Sequence, residues 1–146
     1  MNEMKQLYIA LFLLMSALVT SCGNREAERI MDSAEDVMWT RPDSALTALE
    51  SIDTLALKTK SQRARYSLLY TMALDRNHLT IQDLRVIKPA ASYYENHGSN
   101  DDKMKMYFYL GTAQYDTGDP ESAIASYIRA KEYSSRSDNL VFRGII

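Results

Sequence analysis

One cysteine, one tryptophan, three prolines and five glycines are all this 146-residue chain holds of the residues that staple or punctuate a fold. The lone Cys22 closes no disulfide within the chain and excludes paired-cysteine zinc spacing. So few glycines and prolines argue against a loop-rich or many-turned β protein. The only histidines, His78 and His97, make no H-x-x-x-H pair and sit beside Asp75 and Glu95 in polar joints, so they read as solvent-facing turn residues and no metal is expected. The 17 basic residues are scattered and are outnumbered by 19 acids, which leaves no patch to grip a phosphate backbone and excludes nucleic acid as a partner. There is no G-x-S-x-G, no glycine-rich phosphate loop and no second nucleophile, so neither an enzyme nor a bound cofactor is expected.

What is present begins with an address. Lys5 precedes a 13-residue uncharged run, Leu7 to Val19, and Thr20-Ser21-Cys22-Gly23 follows before charge returns at Arg25 and Glu26. A charged start, a short apolar core and small residues ahead of a cut describe a secretory signal peptide over residues 1–21. The run is shorter than the roughly 20 residues a bilayer crossing takes. Val19-Thr20-Ser21-Cys22 resembles the lipobox of bacterial lipoproteins, which implies lipid attachment at Cys22 and a mature chain of 125 residues (146 − 21). Two or three acyl chains, at about 0.8 kcal/mol per buried methylene, hold such a protein to a membrane. The expected location is the cell envelope, on the periplasmic side of either membrane. Surface display is disfavoured because no acidic run follows Cys22.

From Glu26 onward the apolar period is that of a helix, and no segment alternates long enough for a strand. Ala27, Ile30, Met31, Ala34 and Val37 form one stripe, and Ala45, Leu46, Leu49 and Ile52 the next, after Pro42 at a first helical position. Residues 61–75 carry Ala64, Leu68, Leu69, Met72 and Ala73. Thr80 with Asp83 predicts a capping box opening a fourth helix with Leu84, Ile87, Ala91 and Tyr94 on one face, kinked at Pro89 and ended by a left-handed Gly98. A fifth helix shows Met104, Tyr107, Phe108, Gly111 and Tyr115 on one face and stops at Gly118. Asp119 and Pro120 open a sixth, lined by Ala123, Ile124, Tyr127 and Ala130. The acidic pairs Asp101-Asp102 and Asp116/Asp119 lie at helix ends, where carboxylates cap termini. The fold class is all-α. It is expected as hairpins over residues 25–55, 59–98 and 101–136, with a further helix starting over 140–146.

Self-similarity sharpens this. Pro42-Asp43-Ser44-Ala45-Leu46 recurs as Pro120-Glu121-Ser122-Ala123-Ile124, 78 residues on (120 − 42), room for two hairpins. Tyr107-x-x-Leu110-Gly111 followed by Ala123-x-x-x-Tyr127 and Ala130 resembles a tetratricopeptide repeat, although Gln114 and Ser135 depart from its pattern. The first unit keeps only Ala45-x-x-x-Leu49, and the second, with Tyr66-x-x-Leu69, is degenerate. With the signal peptide, nearly the whole chain is similar to the tetratricopeptide lipoproteins of Bacteroides-type bacteria. Members are usually longer, so a truncated product or the front of a longer protein is expected.

The resemblance implies a solenoid whose concave groove takes a protein or peptide, from Lys105, Phe108, Thr112, Tyr115 and Asp116 in the third unit. The function expected is thus a membrane-tethered protein-interaction scaffold. Alternatives are a nutrient- or glycan-capture lipoprotein, which would favour exposed aromatic platforms, and the sensory front of a longer regulator.

Overall fold

The computed structural model describes residues 25–144, and the apolar run with Cys22 lies outside them. The chain is all-α, with no strand among the described residues. Helix α1 spans residues 25–37. It is followed by α2 (Pro42–Glu50), a 3₁₀ turn (Thr54–Ala56), α3 (Lys60–Arg76), a second 3₁₀ turn (Leu84–Val86), α4 (Lys88–His97), α5 (Asn100–Asp116), α6 (Pro120–Ser134) and the short α7 (Leu140–Arg143).

Local chemistry sets most of these limits. Pro42 and Pro120 occupy first helical positions, where a missing N–H costs nothing. The Asp119 carboxylate accepts from Ser122 N at 3.1 Å. Two full capping boxes form, Thr59 with Gln62 and Ser99 with Asp102, each side chain accepting from the other residue's N–H. Helix α5 ends at Gly118, whose φ of 87° is left-handed, while α3 is closed by His78 at φ 56°. No glycine marks that second stop.

Three expectations are corrected. Residues 80–83 open no helix, and the Thr80/Asp83 box does not form. Asp83 instead accepts from Arg85 N at 2.7 Å and caps the 3₁₀ turn. Pro89 does not kink a helix but sits in the first turn of α4, because a proline inside the predicted helix would have removed a backbone donor and clashed with the preceding turn. Gly98 is extended, at φ −78°, and not left-handed. A Cβ there would lie 2.8 Å from Tyr94 O and 3.1 Å from Asp102 Cβ, so crowding explains the glycine. The inner stripes hold except at Leu84, Tyr115 and Ile124, which are exposed.

Helices α5 and α6 run antiparallel. Tyr107 meets Arg129 and Tyr133, Thr112 meets Tyr127, and Gln114 accepts from Ser126 Oγ at 2.6 Å. Helices α3 and α4 are joined at Ser67, whose hydroxyl donates to Val86 O at 2.5 Å and accepts from Ala90 N. By contrast, α1 and α3 run parallel. Glu28 meets Gln62, Asp32 meets Arg65, and Trp39 lies under the Arg76 guanidinium at 4.6 Å. Helix α7 runs parallel to α5 through Asp101–Ser137 and Phe108–Phe142. Alanines 34, 45, 64, 73, 90, 113 and 130 are fully buried, and such small side chains let helix axes approach closely.

Several bonds joining successive hairpins span similar separations, although Tyr107 to Glu95 spans 12 residues and Arg65 to Glu35 spans 30. Gln62 to Glu28 spans 34 residues, Asn77 to Pro42 35, Ile81 to Asp116 35, Asn100 to Arg136 36 and Ser137 to Asp101 36.

Candidate functional site

Helix α3 has two working faces. Arg65, Leu68, Leu69 and Met72 follow one helical stripe, and Arg63, Tyr66, Ser67 and Tyr70 follow another nearly opposite it. The first stripe floors a groove of about 510 Å³. Its walls are Glu35 and Trp39 at the end of α1, Tyr94 of α4, Asp101, Asp102 and Lys105 in the first turns of α5, and Asn139 and Phe142 at α7. The odd-numbered helices thus supply nearly all of the lining. The groove joins residues from both ends of the described chain: the Trp39 and Phe142 rings meet edge-on at 6.2 Å.

The floor is apolar and the lip is charged. Leu68, Leu69, Met72 and Phe142 are buried. On the lip, Arg65 pairs with three carboxylates of one α1 stripe, Glu28 at 3.1 Å, Asp32 at 2.7 Å and Glu35 at 2.8 Å. Burial alone would lower the guanidinium pKa, but hydrogen bonds to Glu35 and Asp32 outweigh it and the net shift is upward. Across the groove Lys105 pairs with Asp101 at 2.9 Å, and Asp102 is held by Ser99. Each acid lining the groove therefore already has a partner.

Arg65 neutralises one of three adjacent negative charges and ties α1 to α3. Arg65→Gln is expected to cost roughly 1 kcal/mol, modest because the pairs are partly exposed. Its thermal midpoint should rise with added NaCl, since screening relieves the carboxylate repulsion left behind. A variant whose salt response matches the wild type would contradict this electrostatic role.

Of the five residues expected to contact a partner, only Lys105 lines the groove. Phe108 is half-buried, packed against Tyr109, Tyr127 and Phe142. The Thr112 hydroxyl donates to Phe108 O and accepts from Tyr127, so it serves the α5–α6 seam. Asp116 accepts from Ile81 N at 2.8 Å and pins the loop before α4. Tyr115 is 66% exposed, outside the groove. The physical reason is that α5 is packed on two sides, so the face opposite one core is the seam of another. Trp39, Arg65, Tyr94 and Phe142 were missed as groove residues. Arg65 on the same α3 stripe as Leu68, Leu69 and Met72 was the available signal.

Three tyrosine hydroxyls are held neutral. Burial, with the negative charge of Asp102 added, pushes Tyr94 up to about 12. Burial also raises Tyr107, helped by its hydrogen bond to Glu95, and raises Tyr109, helped by the charge of Asp75. Native values above the unfolded phenol's (about 10) mean that this stability is complete below that pH and is lost as pH rises through the native values. Unfolding free energy should therefore fall above pH 10, and Tyr94→Phe should move the alkaline midpoint upward. An unchanged midpoint would contradict the assignment.

The other α3 stripe borders a cleft of about 360 Å³ with Leu57, Arg85 and Pro89, where Tyr66 and Tyr70 stack at 5.7 Å between centroids. Among the described residues no three His, Cys, Asp or Glu side chains gather as a metal site, and no helix is long and apolar enough to cross a membrane. No protein-family model, curated protein or solved structure matches the chain.

Proposed function

We propose that this chain is a membrane-tethered, tetratricopeptide-like scaffold of the bacterial cell envelope, holding an extended segment of a protein partner in the groove between α1, α3, α5 and α7. The observation that carries this reading is the groove itself. Residues of α3 with Phe142 of α7 give it an apolar floor, and Glu35, Arg65, Asp101, Asp102 and Lys105 give it a charged lip. Apolar anchors with satisfied polar groups around them are the usual composition of a peptide-binding surface. Several inter-hairpin bonds at separations of 34 to 37 residues, and the parallel run of α1 with α3 and of α5 with α7, support a repeat stack. Tethering rests on the lipobox at Cys22: Cys22→Ala should abolish metabolic labelling with palmitate, and unchanged labelling would end that part of the reading.

The groove is tested by photo-crosslinking in the native membrane. Full-length chains carrying a benzophenone amino acid at Lys105 or Asn139, on the lip, are compared with one carrying it at the exposed Gln82 outside the groove. A discrete protein adduct from both lip positions and none from Gln82 is the expected result. Adducts from all three, or from none, would overturn the groove as the binding site.

One observation favours a second reading, capture of a ring-bearing small ligand. The stacked Tyr66–Tyr70 pair in the opposite cleft offers an aromatic face flanked by Arg63 and Arg85. The only tryptophan does not add to such a platform, since Arg76 and Phe142 lie against it. A sugar-array screen showing binding that Tyr66→Ala removes would shift the balance to this reading.

A further inference from the structure

Helix α6 buries Ala123, Ser126 and Ala130 against the rest of the chain and leaves Ile124 60% and Ile128 56% exposed. The other large exposed apolar side chains, such as Leu55, Leu79 and Leu84, lie on separate elements and make no stripe with them. At 3.6 residues per turn, Glu121, Ile124, Ile128 and Lys131 fall within an arc of about 80° on the outer face of α6. The Glu121 carboxylate and the Lys131 ammonium form no ion pair with any described residue.

This stripe is complementary to itself. We propose that α6 pairs antiparallel with α6 of a second copy of this chain, about a two-fold axis level with Ser126. Ile124 and Ile128 are equidistant from position 126, and so are Glu121 and Lys131. The two-fold therefore lays Ile124 on Ile128 of the second copy and Glu121 beside Lys131 of the second copy, each contact made twice. A parallel pairing would instead set Glu121 against Glu121 and Lys131 against Lys131, which like-charge repulsion disfavours. One helix pair lies at the low end of specific interfaces, so the association is reversible, and the two ion pairs select the geometry over other collisions. The inference stands whether or not the groove takes a peptide.

The test uses the full-length chain in its membrane, with the benzophenone amino acid in place of the exposed Ala125, one residue from the axis and outside both ion pairs. Two differently tagged copies are co-expressed, and adducts carrying both tags are measured. The unsubstituted pair should give an adduct of twice the chain mass. Glu121→Lys in both copies, or Lys131→Glu in both, should each lower its yield about tenfold, as two attractions become repulsions. Both positions are exposed, so helix content by circular dichroism should not change. Co-expressing one Glu121→Lys copy with one Lys131→Glu copy restores opposite charges at both contacts, and the yield should return to within about twofold. Absence of the doubly tagged adduct, adducts only with some other protein, or a mixed pair no better than the single-variant pairs would each overturn the proposal.

Discussion

Gly111→Val should destabilise the chain by about 3 kcal/mol, the upper range for forcing bulk into a packed seam. Gly111 lies in mid-α5, where glycine is a poor helix former and alanine alone would gain about 1 kcal/mol on propensity. Packing decides the sign. A Cβ at Gly111 would lie 2.7 Å from Tyr127 Cε1, 2.8 Å from Tyr127 Cδ1 and 3.1 Å from Ala123 O. The carbonyl belongs to the α6 backbone, and the ring is packed at 5.6 Å against Phe108. Relief must therefore come from moving α6 away from α5. Gly111→Ala should fall between, losing about 1 kcal/mol once its propensity gain is offset. Chemical denaturation decides the matter: an alanine variant more stable than the wild type would show that close approach is not what this glycine provides.

Tyr109→Ala should cost about 4 kcal/mol, while Tyr109→Phe should change stability by less than about 1 kcal/mol. Tyr109 is 1% exposed and is among the largest fully buried side chains. Its ring lies edge-on to Phe108 at 5.1 Å and tilted against Phe142 at 5.8 Å, so it links α5 to α7 beneath the groove. Truncation removes the ring's transfer energy and opens a cavity between helices that cannot collapse on it without shifting. The hydroxyl contributes little, for it has no hydrogen-bond partner among the described residues. Its upward pKa shift comes first from burial and then from the charge of Asp75. Tyr109→Phe should also remove part of the alkaline loss of stability. A phenylalanine variant as unstable as the alanine one would mean that the polar group, not the ring, is the support.

Much of this architecture was legible because its punctuation is chemical. Pro42, Gly118 with Asp119-Pro120, and the 3.6-residue stripes of α1 and α2 each have one structural solution, and each element lies where that solution puts it. The Thr80/Asp83 pattern misled because the same side chain that caps an α-helix also closes a 3₁₀ turn. Pro89, eight residues into the expected helix, chose between them. Leu84 accordingly belongs to a turn and not to an inner face, which explains its exposure.

The site was harder to read for a different reason. A helix inside a stack has two or three buried sides, so in α5 Met106 and Tyr109 are as buried as Met104 and Tyr107. Inner and outer faces then cannot be told apart from one stripe, and Thr112 and Asp116, which spacing puts at a groove, bond to Tyr127 and Ile81 of neighbouring segments. The groove also draws on residues that no local pattern relates: Trp39 and Phe142 are 103 positions apart (142 − 39) yet form one wall. The spacing of Ile124 from Ala123 and Tyr127 predicts a core position. Ile124 lies on the outer face because the buried stripe of α6 is narrow and made of small residues, Ala123, Ser126 and Ala130.

Helices α1, α3, α5 and α7 border one groove, where Trp39, just after α1, meets Phe142 of α7. A two-dimensional NOE spectrum of the full-length protein, with Trp39 identified as the single indole, tests it directly. Rings 6.2 Å apart between centroids place edge protons within NOE range, so a cross-peak between the Trp39 indole and the Phe142 ring is predicted, and Phe142→Leu should remove it. An indole showing NOEs to α3 but none to Phe142 would mean that the hairpins do not close round a groove.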